Sequence, residues 1–138
     1  MIEKMRVAVI VNPELSIGLL ANTSSAVAMG LAAKFPALAD SQLSDSTGKT
    51  IDVSSKLPVP ILQASAEQIN QILHKALQTT EGVAIVPFPT FARTMHSFED
   101  YAQAFPERNL EQEQLDGLGI AGPEKWVKSL TGALKLLR

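Results

Sequence analysis

No cysteine occurs anywhere in the 138 residues, which excludes disulfides, thiolate metal sites and a cysteine nucleophile. Histidine is nearly as scarce. The two present, His74 and His96, do not form the paired spacing that a zinc site needs, and no metal is expected. Glycine, serine and glycine never fall at nucleophile-elbow spacing, and Gly18 stands alone after the first apolar run, where a phosphate cradle would need companions. No cofactor is therefore expected. There is no uninterrupted apolar run of about 18 residues, the length a membrane span requires. Strong positive charge is missing too: the net charge is −2, which argues against a general nucleic-acid-binding domain.

What is present is ordinary for a globular protein. Hydrophobic residues make up 46% and charged residues 19%. The length suits one domain over residues 1–138 with a substantial core. The opening MIEKMRVAVIVNPE reads as a first strand rather than a signal peptide, whose apolar core would be longer, so a cytoplasmic location is expected. Charge is uneven along the chain. Glu99, Asp100, Glu107, Glu111, Glu113 and Asp116 face the single base Arg108, whereas Lys125, Lys128, Lys135 and Arg138 make the end basic. The basic end reads first as a solvated helix face, with a local basic binding face as the alternative.

Periodicity orders the chain. The β-branched run Met5–Val11 predicts a strand buried on both faces. The helix after Asn12 and Pro13 puts Ile17, Leu20, Ala21, Ser24, Ala28, Leu31 and Phe35 on one stripe, with further apolar residues off it. Thr47 and Gly48 predict a turn with a short strand on one or both sides, and LPVPIL predicts a second long-range strand, with Pro58 and Pro60 marking an edge or its start. In SAEQINQILHKALQ, Ser65 and Gln68 form a capping box, and Ile69, Ile72, Leu73, Ala76 and Leu77 share one face, with His74 away from it in solvent. GVAIVPF, SFEDYAQAF, LDGLGIAG and PEKWVKSLTGAL then predict a strand, a short helix, a strand weakened by glycine and a last helix. This alternation predicts an α/β layered fold.

Two places carry candidate chemistry. Arg93, Thr94 and His96 follow the third strand, where α/β proteins place ligand-contacting groups, and together suit an anion or a carbonyl. The alternative is a plain connecting loop. In the first helix, Asn22, Ser25 and Met29 lie along one ridge within the polar run Asn22-Thr23-Ser24-Ser25. A carboxamide among apolar neighbours needs partners, supplied either by neighbouring backbone or by a ligand in a cleft.

The ending LGIAGPEKWVKSLTGALKLL resembles the closing strand and helix of type 2 peptidyl-tRNA hydrolases, through Gly122, Pro123, Thr131, Gly132, Leu134 and Leu136. RVAVIVNPELSIGLLAN is similar in layout to that family's first strand, turn and glycine-led helix. The whole chain resembles still more closely an uncharacterised domain-of-unknown-function family of that fold, in Asn22, PVPIL and LTGALKLLR. The resemblance implies a four-stranded mixed β-sheet with helices on both faces.

It does not carry the hydrolase activity across. The hydrolases have a lysine in the glycine-led turn, and glutamine and often histidine along the first helix. GLLANTSSAVA has no base and no glutamine between Gly18 and Ala28. They also have Asp-Ala-Gly-x-Thr after the third strand. In TFARTM, Thr94 matches the threonine, but Thr90 stands where the aspartate belongs. Arg93 supplies one positive charge there.

The expected function is thus binding of a small-molecule or nucleotide-like ligand beside the first helix, by Asn22, Ser25, Arg93, Thr94 and His96. The rival is a peptidyl- or aminoacyl-tRNA hydrolase with a rearranged site, His96 as base and Arg93 at the oxyanion; tRNA is the less favoured partner. A third reading is a homodimer through the small residues of the first helix.

Overall fold

A computed structural model describes residues 4–138. A five-stranded mixed sheet forms its centre, in the order β5-β6-β1-β4-β7. β1 (Met5–Val11) is the middle strand, antiparallel to β6 (Leu115–Pro123) and parallel to β4 (Ile61–Gln63). β5 (Ala84–Pro89) forms one edge beside β6, and β7 (Lys135–Leu136) the other beside β4. β2 (Gln42–Ser44) and β3 (Thr50–Asp52) make a separate hairpin.

The β-branched run of β1 is buried on both faces, as its composition predicts. Val7, Val9 and Val11 point to α1 (Ile17–Lys34); Ala8 and Ile10 point to α2 (Ala66–Ala76) and α4 (Glu124–Thr131). Helices therefore cover both faces. α2 presents Ile69, Ile72, Leu73 and Ala76 to the core, and its capping box is formed: Gln68 N donates to Ser65 Oγ at 3.1 Å, and Ser65 N to Gln68 Oε1 at 3.0 Å. α3 (Phe98–Ala104) follows β5 and is capped by Ser97, whose Oγ accepts from Asp100 N at 3.1 Å.

Two expectations about the sheet and its last helix need correction. The sheet has five strands, not four. PEKWVKSLTGAL predicts a last helix through Leu134, but α4 stops at Thr131, and the chain turns at Gly132 into β7, after which Leu137 N donates to Ile61 O at 2.8 Å. β4 consequently lies inside the sheet, and Pro58 and Pro60 lead into it, the second of the two readings open to them.

The buried side of α1 is Thr23, Val27 and Leu31, flanked by Leu20, Ser24 and Ala28; Ile17, placed on the expected stripe, is 86% exposed. His74 is half-buried rather than solvated, with its Nε2 enclosed and unpaired.

The glycines that weaken β6 as a strand on propensity are what let α1 lie close against it. A Cβ at Gly117 would stand 2.5 Å from Thr23 Cγ2 and 3.0 Å from Ile10 O, and one at Gly119 would stand 3.0 Å from Leu31 Cδ1. Those contacts leave little room for any side chain. A conformational demand of another kind falls on Gly48, whose φ of +87° turns the β2–β3 hairpin.

A stability measurement checks this packing. Gly117→Ala is expected to lower the unfolding free energy by about 1–3 kcal/mol in urea, because backbone and a buried threonine must move. Gly18→Ala, with nothing within 4 Å of the new methyl, is expected to be neutral or to stabilise α1 by up to about 1 kcal/mol. Equal effects at the two positions would refute the close-approach account.

Candidate functional site

β1 and β5 both run toward one end of the sheet, and β6, antiparallel to them, starts there. Side chains near these strand ends therefore meet the N-terminal half of α1 above the sheet. The β5–β6 ladder is irregular at this point: Phe88 pairs with Gly117, but Pro89 pairs with Leu115. Asp116 is the extra residue of this bulge, a device that re-aims a side chain at a strand end.

Asp116 is 1% exposed. Its Oδ1 accepts from Thr90 Oγ1 at 2.7 Å and its Oδ2 from Arg93 Nε at 2.6 Å. Thr90 and Arg93 belong to the short 3₁₀ segment Thr90–Thr94 that ends β5. From Asp116 the guanidinium reaches over to α1. Arg93 Nη2 donates to Thr23 Oγ1, which is fully buried, and Nη1 donates to Asn22 Oδ1 at 3.2 Å. The Phe88 ring lies 4.5 Å from the guanidinium carbon, a cation–π contact. The Asp116 carbonyl accepts from Asn12 N at 3.1 Å, and Asn12 Oδ1 caps the following turn through Glu14 N at 3.0 Å. One charged pair thus joins β6, the end of β5 and α1.

Burying a carboxylate costs several kcal/mol, which only good geometry and further hydrogen bonds offset. Both conditions hold: the contacts to Asp116 are charge-assisted and short. The guanidinium side chain itself remains 19% exposed. A guanidinium has five N–H donors. Three are engaged with Asp116, Thr23 and Asn22, which leaves two without a partner among the described residues.

The structure brings together two of the five residues expected at a site, Asn22 and Arg93. Asn22 is exposed rather than enclosed among apolar neighbours; its Nδ2 donors have no partner among the described residues. Ser25 is exposed and donates back to Ala21 O within the helix at 2.8 Å. Thr94 donates to Phe91 O at 2.8 Å, within its own turn. His96 is exposed in the loop before α3.

Sequence reasoning missed Thr23, Thr90 and Asp116. Asp116 carried a usable signal: it is the one charge within LDGLGIAG, a segment otherwise apolar or glycine.

A separate apolar cleft lies along the C-terminal half of α1. It measures about 230 Å³ and is lined by Val7, Ala28, Leu31, Ala32, Leu38 and Val59, among others. No helix among the described residues is long and apolar enough to cross a membrane.

Residues 5–138 match a family described as Protein of unknown function (DUF2000), and the chain belongs to that family. Its fold is similar to the solved structure of a protein of unknown function from Agrobacterium tumefaciens strain C58. The TM-score is 0.86 at 16% identity, over 96% of this chain and 97% of that one. No curated protein matches the chain.

Removing one partner of the buried pair leaves the other uncompensated. Asp116→Ala is expected to cost about 3–5 kcal/mol of unfolding free energy. Thr23→Val, close in shape but without the acceptor, should cost about 1–3 kcal/mol. The double variant Arg93→Met, Asp116→Leu should be less destabilised than its singles sum to, by about 1 kcal/mol or more. Strict additivity in urea unfolding would show that the pair does not act as a unit.

Proposed function

We propose that the protein binds a small molecule through an anionic or carbonyl oxygen at the open side of Arg93, and that its fold is that of type 2 peptidyl-tRNA hydrolases. The observation that carries the binding reading is the guanidinium itself. Asp116, Thr23 and Asn22 hold it rigid, while two of its donors remain without partners at a partly exposed position. A donor held in place before the ligand arrives loses little freedom on binding. Asn22 Nδ2 stands beside it as a further donor. Ser25 lies along the same helix, and Thr94 and His96 follow Arg93 in the chain; these are the further groups that a nucleotide-like ligand is proposed to meet.

The fold reading rests on the mixed sheet with helices on both faces and on Gly122, Pro123, Thr131, Gly132, Leu134 and Leu136 at the chain's end. The protein is proposed as one cytoplasmic domain over residues 1–138.

One observation favours the hydrolase as a second reading. The aspartate that TFARTM lacks in sequence is present in space: Thr90 donates its hydroxyl to the carboxylate of Asp116. Asp116, buried with both oxygens engaged, would act by orienting Arg93, whose outward donors would stabilise an oxyanion. His96, free in the adjoining loop, would serve as the base.

Thermal unfolding with phosphate, AMP and N-acetylated amino acids as probes tests the first reading. A compound present at a hundred times its dissociation constant should stabilise the protein by about 2.7 kcal/mol. Asn22→Ala should reduce that shift while leaving the ligand-free unfolding temperature nearly unchanged, since Asn22 is exposed. No shift with any probe would count against binding at Arg93. Hydrolysis of an N-acetylaminoacyl-tRNA, with His96→Ala as control, separates the second reading. The binding reading expects no turnover; turnover lost in His96→Ala and steeply reduced by salt would establish the hydrolase.

A further inference from the structure

The β2–β3 hairpin stands apart from the rest of the chain. Every residue from Ser41 to Asp52 is exposed, and the two strands pair only with each other. Isolated two-stranded hairpins are marginal in water unless one face packs on something. This hairpin also carries an apolar pair with nothing over it. Leu43 and Ile51 are direct cross-strand partners, 64% and 57% exposed. The cross-strand neighbours on either side are polar, linked by Gln42 Nε2 to Asp52 Oδ1 at 3.1 Å and by Ser44 Oγ to Thr50 Oγ1 at 2.7 Å. Leu43 and Ile51 thus form a compact apolar knob on a polar arm.

The same chain carries a hole of matching chemistry. The cleft beside α1 is apolar, with Val7, Ala28, Leu31, Ala32, Leu38 and Val59 on its walls. On the scale of roughly 30 Å³ per water-sized group, its volume of about 230 Å³ holds roughly eight such groups. That is close to one leucine and one isoleucine side chain together. Leu43 and Ile51 do not fill the cleft of their own chain, since both are exposed. Met29, on the cleft's rim, is 75% exposed as well.

We infer that the protein forms a two-fold homodimer in which the Leu43–Ile51 knob of each copy seats in the α1 cleft of the other. A knob and a hole on one chain can pair head-to-tail or about a two-fold axis, and their adjacency favours the two-fold: Met29 and Ala32 line the cleft and also the adjoining groove walled by Gln42 and Asp52, so an axis passing between knob and hole lets each contact occur twice. The exchange covers the apolar face of both hairpins and fills both clefts, so one contact supplies what each of these features lacks in a single copy. A polar arm with an apolar centre also matches the usual layout of an interface, an apolar core within a polar rim. This contact lies on α1 away from Arg93 and stands independently of the binding proposed there.

Sedimentation velocity across the micromolar range tests the inference. The wild-type protein is expected to sediment at twice the mass of one chain. The Leu43→Ser, Ile51→Ser double variant is expected to weaken the dimer by a factor of roughly 100 or more, since four buried apolar side chains become polar across the two copies. Ala32→Arg, which blocks the cleft, should do the same. Circular dichroism verifies that each variant is folded, and because the variants lie on separate elements, a folding defect in one leaves the other to decide. A wild-type monomer at every concentration overturns the inference. So does a dimer that ignores whichever of these variants is folded.

Discussion

The carboxylate of Asp116 is the constraint around which this end of the molecule is arranged. A charge 1% exposed has to be met by an opposite charge and by further donors. Arg93 and Thr90 meet it from the segment that ends β5, and Arg93 in turn needs acceptors, found at Thr23 and Asn22 on α1. A single bulge residue thereby fixes where the chain leaves β5 and how α1 crosses the sheet. It also fixes which edge of the guanidinium points outward. The ion pair is part of the packing and also holds the guanidinium on which the proposed binding rests, so loss of Asp116 would affect stability directly and that binding with it.

That arrangement depends on α1 lying close against β6. Gly117 and Gly119 clear the space, and Thr23, opposite Gly117, offers a small side chain with one oxygen at its tip. A larger residue at either place would lift the helix and lengthen the reach from Arg93. The glycines of β6 and the polar run of α1 are therefore one feature seen from two elements: close approach on one side, a hydrogen-bond acceptor on the other.

Much of the fold was legible because local chemistry and tertiary role agree. β1 is rich in β-branched residues, and Val7 to Val11 are buried on both faces. α2 has one apolar face and a capping box, and both form. The hairpin turn at Gly48 follows from a residue that tolerates positive φ. The failures occur where local signal and tertiary role part company. β7 is two residues long, and Leu134 and Leu137, which flank it, continue the helical spacing of Leu130 in α4 by coincidence. His74 leaves the apolar stripe of α2, yet its ring nitrogen is covered. Asp116 belongs by spacing to an acidic surface stretch and by position to a buried strand, and only the bulge decides between them. At the candidate site, Asn22 and Arg93 were readable as polar groups in suggestive places. Thr23 was not, since nothing in a run of Asn, Thr, Ser and Ser says which one faces inward.

The weak periodicity of α1 has a physical cause. A helix that only covers a core shows one apolar stripe. α1 has three neighbours on three sides. Thr23, Val27 and Leu31 meet the sheet; Asn22 meets the guanidinium; Ala28 and Ala32 line the cleft. The first role calls for bulk, the second for a polar acceptor, and the third for small side chains that leave a cavity open. Each is satisfied on its own side, and the sum is a helix that is apolar or small nearly all round, with a polar run near its start. Blurred amphipathicity of this kind is informative. It marks an element whose surroundings are not solvent on one side and core on the other, and it directs attention to the sides on which the described chain supplies no neighbour.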